Sequence, residues 1–151
     1  MAERTNDKKK ATFICARNTL EGVYPPLILA LQAVRAGVDT SVFFTFDGIN
    51  AVRKEGIKKA KYFPPGILGV IPGIPALATK MMIKMAEERA GIPRPEDLLE
   101  MCQLEGVKLY ACKMTVDMMG LKKEDFIPGV EIIDAPGYMK LALASDINIF
   151  V

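Results

Sequence analysis

The stretch Val107-Lys108-Leu109-Tyr110-Ala111-Cys112-Lys113-Met114-Thr115-Val116-Asp117-Met118-Met119-Gly120 changes its period partway along. Val107, Leu109 and Ala111 alternate with Lys108, Tyr110 and Cys112, the two-residue rhythm of a short strand ending at the cysteine. Beyond it the spacing turns helical: Thr115 suits an N-cap, Val116 the first helical position, Asp117 the first turn, and Gly120 the left-handed residue past the end. A thiol therefore stands where a strand hands over to a helix.

The same alternation of strand and helix recurs outward from this point. Residues 11–16 read as a first, largely apolar strand, as expected of one covered on both faces. A helix is expected from Pro25 or Pro26, with Leu27, Ile28, Leu31 and Val34 on one face and Gly37 as its stop. Residues 39–46 form a second buried strand, 50–59 a charged helical segment, 76–90 a helix, and Pro95 opens another that Gly106 ends. Residues 122–126 suggest a short helical turn, 130–133 a fourth strand, 137–144 a helix and 146–151 a last strand. Such alternation predicts an α/β fold: a five-stranded parallel sheet with helices on both faces, in the flavodoxin-like order 2-1-3-4-5. In that order the first and third strands are neighbours, so Cys15 and Cys112 could be neighbours at the carboxyl edge of the sheet.

Two regions depart from this rhythm. Residues 62–75 hold Pro64, Pro65, Gly66, Gly69, Pro72, Gly73 and Pro75 among apolar Ile67, Leu68, Val70 and Ile71, which reads as an irregular but packed loop. It serves either as a cover for a site or subunit contact or as a plain connection. The first ten residues are polar and end in Lys8-Lys9-Lys10; residues 1–10 are expected to be a flexible tail and 11–151 one domain.

Composition restricts the chemistry. A chain of 151 residues, 50% hydrophobic, suits a single domain, and 20 basic against 18 acidic residues are too balanced for a nucleic-acid binder. No leader or membrane span is evident: the most hydrophobic window, 67–85, is broken by prolines, glycine and lysines. Three cysteines, an odd number, fit reduced thiols, so a cytoplasmic protein is expected. There is no histidine, which removes Ser-His-Asp and Cys-His activation and histidine-ligated metal. No glycine-rich phosphate fingerprint follows a strand, and neither a metal nor another cofactor is assigned. The methionines of 76–90, at helical spacing, read as packing rather than as copper ligands.

What remains is thiol chemistry. A cysteine ionises more readily where helix-terminal N–H groups and a cation face it, and Cys112 has a helix start downstream and Lys113 beside it. The alternative is a small buried filler at a strand end. Lys113 is either a thiolate stabiliser or a solvated charge. Cys15 is either a second thiol that resolves an oxidised Cys112 as a disulfide or an apolar strand residue. Cys102 shares a helix face with Leu98 and reads as structural.

In Val42-Phe43-Phe44-Thr45-Phe46-Asp47-Gly48, in Gly106-Val107-Lys108-Leu109-Tyr110-Ala111-Cys112-Lys113-Met114-Thr115 with Asp117-Met118-Met119-Gly120, and in residues 125–130, the chain resembles the DsrE/DsrF-like family. The likeness is to its longer DsrE-like, peroxiredoxin-like branch. It implies a flavodoxin-like sandwich, a homo- or hetero-oligomer, and a sulfur relay in which Cys112 carries sulfane sulfur, as a persulfide or thiosulfonate, between donor and acceptor partners. Two other functions compete with this one: a redox switch using Cys112 and Cys15, and a non-catalytic assembly or small-ligand module.

Overall fold

The computed structural model describes residues 8–151. Five strands form one all-parallel sheet: β1 (Lys10–Cys15), β2 (Asp39–Phe44), β3 (Lys108–Cys112), β4 (Val130–Ile133) and β5 (Ile147–Phe150). The helices are α1 (Leu20–Arg35), α2 (Ile74–Ala90), α3 (Pro95–Leu104), α4 (Lys113–Met118) and α5 (Ala135–Leu143), with short 3₁₀ turns at Phe46–Val52, Ile57–Lys59, Gly66–Gly69 and Lys123–Asp125. Most of the expected tail lies outside the described residues; Lys10 is already in β1, its N–H donating to Asp146 Oδ2 at 2.9 Å. Among the described residues no helix is long and apolar enough to cross a membrane.

The sheet order is 4-3-2-1-5 and not 2-1-3-4-5. The chain steps in one direction from β1 through β4, and only β5 returns to the far side of β1. Right-handed crossovers in one direction place their helices on one face, and α1 accordingly packs against α3, β1 and β2. The return to β5 puts α5 on the opposite face, where Tyr138 stacks on Phe43 with ring centroids 4.5 Å apart. Strand periodicity fixes the number of strands but not the edge to which each crossover leads. The run Val42-Phe43-Phe44, buried throughout, marks β2 as the central strand.

This order separates the two cysteines that the other order would make neighbours. Cys15 is in register with Phe44, and Phe44 with Ala111, so β2 stands between β1 and β3. At about 4.8 Å per strand the two backbones are about 10 Å apart, beyond the roughly 7 Å that a disulfide spans. Side chains also alternate across a strand: Cys15 shares a face with Phe44 and Ala111, whereas Cys112, one residue further along, has the opposite parity.

Cys15 instead completes the α1 face. Helix α1 begins at Leu20, ahead of Pro25 and Pro26, which lie inside it. Proline has no N–H to give to the carbonyl four residues back, so Pro26 leaves the buried Gly22 carbonyl without its helical partner. The Cys15 thiol donates to that carbonyl at 3.4 Å and to the Arg17 carbonyl at 3.5 Å. Similarly, buried Cys102 on α3 donates to the Leu27 carbonyl at 3.3 Å. Both thiols are wholly buried, in a core with Phe13, Val42, Phe44 and Leu109.

The other side of the molecule is less well covered. The loop at 62–75 is irregular but not packed: Ile67 and Val70 are 75% and 78% exposed. Proline and glycine there preclude a regular element, and no described element lies over these side chains. Helix α2 buries none of its residues and leaves Leu77 and Met81 open.

The arrangement at Pro26 is testable by urea denaturation. Cys15→Ala leaves the Gly22 carbonyl unpartnered and should lower the unfolding free energy by about 1–3 kcal/mol. Adding Pro26→Ala restores a backbone N–H to that carbonyl, so the double variant should lose less than the sum of the two single losses.

Candidate functional site

Parallel pairing of β2 with β3 ends at Phe44 and Ala111. Past that point one chain continues into Thr45 and Phe46, the other into Cys112 and α4. Cys112 is itself the residue preceding the helix, at φ −68° and ψ 117°, and α4 begins at Lys113. The expected cap, Thr115, is the third residue inside α4. Its hydroxyl is engaged elsewhere: the N–H of Phe46 donates to Thr115 Oγ1 at 3.1 Å, and Thr45 Oγ1 lies 3.4 Å from the same atom. The helix stops as expected, with Gly120 at φ 63°, its N–H bonded to Asp117 O at 3.2 Å and the Leu121 N–H to Val116 O at 2.9 Å.

These contacts set the ionisation of Cys112. Burial raises the pKa of the thiol, but the N–H of Thr115, the hydroxyls of Thr45 and Thr115, and the N–H of Met114 together outweigh it and hold the thiol below its ordinary value of 9.0. Sulfur is large and Cys112 makes no conventional capping bond. Its anion is favoured by the combined dipoles of two amides and two hydroxyls. By contrast, burial pushes Cys15 and Cys102 up to about 12. Exposure follows the same division: Cys112 retains 6% of its surface, Cys15 and Cys102 none.

Lys113 is placed differently from what its position beside the thiol suggested. Its Nζ forms a two-pronged pair with Asp117, at 3.0 Å to Oδ1 and 2.8 Å to Oδ2, on the exposed side of α4. A solvated ion pair of this kind contributes little, and the groups that favour the thiolate are neutral dipoles. The structure thus brings Cys112 together with Thr45, Thr115 and the backbone of Phe46, and leaves Cys15 on the other face of the sheet. Thr45 and Thr115 were not singled out as site residues from sequence; their one local signal is a threonine three residues after the cysteine, the spacing at which a helix N–H faces its cap.

Phe46 adds a strained element. It is a non-glycine residue at φ 46°, a left-handed conformation that costs an L-residue about 1–2 kcal/mol, and its ring is 53% exposed. Met114 and Met118 on α4, the helix that follows Cys112, are also exposed. A cleft of about 550 Å³ lined by Asn18, Asn50, Arg53, Lys54, Lys59 and Asp125 does not include Cys112. Among the described residues no group of three or more Cys, Asp or Glu side chains is arranged to hold a metal ion.

Comparison with known proteins places this arrangement in a family. Residues 7–150 match the model of the DsrE/DsrF/DrsH-like family. The chain is 34% identical over 161 residues to the sulfur carrier protein DsrE2 of Allochromatium vinosum, covering 96% of this chain and 99% of that protein. It is 28% identical to the uncharacterized protein YrkE of Bacillus subtilis, covering 97% and 99%. The crystal structure of the ychN protein from E. coli superposes with a TM-score of 0.63 at 17% identity, over 96% of this chain and 100% of that one, and has the same kind of fold. With a sheet of this order and a match along nearly its whole length, the chain belongs to the DsrE/DsrF/DrsH-like family.

Proposed function

We propose that this protein is a sulfur carrier that holds sulfane sulfur on Cys112 and passes it to a partner. The observation that carries the reading is the ionisation of Cys112: of the three thiols it alone has its anion favoured and part of its surface open. The sulfur-carrier description of the Allochromatium vinosum relative supports the same reading.

The chemistry is an exchange between sulfurs. The Cys112 thiolate attacks the terminal sulfur of a donor persulfide; a new S–S bond forms, the donor's S–S bond breaks, and the donor leaves as its thiolate. Cys112 then carries one additional sulfur. A thiolate on the acceptor attacks that sulfur in the same way, takes it, and releases Cys112 as the anion. With thiosulfate as donor the leaving group is sulfite. Neither step needs a general base once the thiol is ionised, which suits a chain without histidine.

Self-association belongs to the same reading. A helix of this length draws most of its stability from a packed face, and within one chain that of α2 is only half-buried, with Ile83 against the core and Leu77 and Met81 open. A homo-oligomer in which another copy covers α2 and the loop at Gly66–Gly69 would provide it.

Two measurements test the site. Iodoacetamide on the folded protein should label Cys112 alone, with a rate that reaches half its plateau below pH 9.0 because a lowered pKa makes more thiolate at a given pH. Cys15 and Cys102 should react only after unfolding. Incubation with thiosulfate, tetrathionate or polysulfide followed by peptide mass mapping should find a sulfur adduct on Cys112 and none on Cys112→Ser; a wild-type protein that takes up no sulfur at Cys112 overturns the carrier reading.

A further inference from the structure

The cleft of about 550 Å³ that excludes Cys112 is built on the chain leaving the carboxyl ends of β1 and β2, where open α/β sheets place their ligands. Asn18 follows β1, and Asn50, Arg53, Lys54 and Lys59 follow β2. Asp47 ties the two segments together: one carboxylate oxygen accepts the Asn18 N–H at 2.8 Å and the other accepts Asn50 Nδ2 at 3.2 Å. Asn50 Oδ1 in turn accepts Arg53 Nη1 at 3.1 Å, and Asn18 Nδ2 donates to the Gly56 carbonyl at 3.0 Å. The turn itself is tight, for a Cβ at Gly56 would collide with the Asn50 carbonyl, and Glu55 is held at φ 60°. A left-handed non-glycine residue persists only where its surroundings hold it. The Lys54 N–H donates to the Asp125 carbonyl at 3.0 Å, which brings the turn at Lys123–Asp125 to the same cleft. The lining is thus fixed by bonds within the chain.

Its cations, however, are not neutralised there. Lys54 and Lys59 have no ion-pair partner among the described residues, and Arg53 gives its bond to a neutral amide oxygen. Arg35, Lys58, Lys84, Arg94, Lys108 and Lys113, by contrast, each pair with a carboxylate. A guanidinium oriented through one N–H keeps the rest of its planar fork for an oxyanion. Acceptors stand in the same cleft. Asp125 Oδ2 takes the Lys122 N–H at 2.7 Å, which leaves its other oxygen and the exposed Glu124 carboxylate for donors from outside. Asn18 Oδ1, buried on this wall, has no partner among the described residues, and an acceptor left in that state is destabilised. None of the lining residues is aromatic, so the cleft offers no platform for stacking a base. Its size is that of a site for a small molecule rather than a bare ion.

We propose that this cleft is a second binding site, separate from Cys112, for a small phosphorylated polyol of the sugar-phosphate class: Arg53, Lys54 and Lys59 hold the phosphate, and Glu124 and Asp125 accept from the hydroxyls. The proposal goes beyond the carrier reading and does not depend on it.

The experiment is isothermal titration of the full chain with ribose 5-phosphate, ribose and inorganic phosphate. Ribose 5-phosphate should bind saturably at millimolar concentration, to the wild type and to Cys112→Ser alike. Ribose should not bind, and inorganic phosphate should bind at least about tenfold more weakly than the sugar phosphate. Arg53→Gln combined with Lys54→Gln should weaken ribose 5-phosphate at least about tenfold, because each change removes a charge-assisted bond. Glu124→Ala should weaken ribose 5-phosphate and leave inorganic phosphate unchanged. If the Arg53 variant fails to fold, as judged by circular dichroism, Lys54→Gln with Lys59→Gln makes the same test on two exposed side chains. A wild type that does not bind ribose 5-phosphate overturns the proposal, as does a double variant that binds it as tightly as the wild type. Inorganic phosphate bound as tightly as ribose 5-phosphate overturns the polyol assignment, and binding lost in Cys112→Ser overturns the separation from the sulfur site. Sulfur loading plays no part in these readouts, so failure of the carrier reading leaves them unchanged.

Discussion

Ser41–Phe44 and Lys108–Ala111 pair residue for residue, and the site exists because of where that pairing stops. β2 is the middle strand of the sheet, with Val42 and Phe44 sunk in the α1 face and Phe43 held under Tyr138 on the other. A slip of one residue would turn each of these side chains to the wrong face, so the register of β2 is tightly constrained. Thr45 and Phe46, which follow it directly, inherit that constraint. They are thereby delivered to the start of α4, where Thr115 receives the Phe46 N–H.

The division of labour among the three cysteines follows from the same sheet. All stand near strand or helix termini in sequence, but parity and neighbours separate them. Cys15 faces α1 and satisfies the carbonyl that Pro26 leaves open; Cys102 satisfies another carbonyl of the same helix. A thiol committed as a donor in an apolar setting keeps its proton. Cys112 faces dipoles oriented the other way, with N–H and O–H groups directed at it, and yields its proton more easily. Burial keeps the proton on Cys15 and Cys102, whereas at Cys112 the hydrogen bonds directed at the sulfur outweigh it.

How much of this could be read from the chain depends on range. The strand rhythm of residues 107–112, the proline start of α3, the glycine stop at Gly120 and the thiol at a strand end are local patterns, and they were legible. The lateral order of strands is not local: nothing in residues 10–15 or 108–112 says that β2 lies between them. Pro25 and Pro26 fit the local rule that favours proline at a helix start, yet α1 begins five residues earlier at Leu20, and the Cys15 thiol takes up the carbonyl that Pro26 cannot serve. Thr115 reads as a cap by the local rule, but α4 begins two residues before it at Lys113, and its oxygen accepts a backbone N–H from Phe46 at the end of the neighbouring strand. The candidate cysteine was thus visible in sequence, while the groups that tune it became visible only with the pairing of β2 and β3.

The use of dipoles in place of a fixed cation has a chemical consequence. Any group that lowers a thiol's pKa, cation or dipole, also lowers the nucleophilicity of its anion, so the balance is best with a pKa near the ambient pH. With Lys113 held by Asp117, the Cys112 anion is favoured by amides and hydroxyls that are already fixed in the fold and need little reorganisation as charge arrives or leaves. In the proposed persulfide of Cys112 the negative charge would move outward to the terminal sulfur, away from those donors, and the loaded form would be less well stabilised by them than the empty one. Under the proposed carrier reading such a site would favour release of sulfur to an incoming thiolate, and with Cys15 and Cys102 sealed in the core that thiolate would come from another molecule.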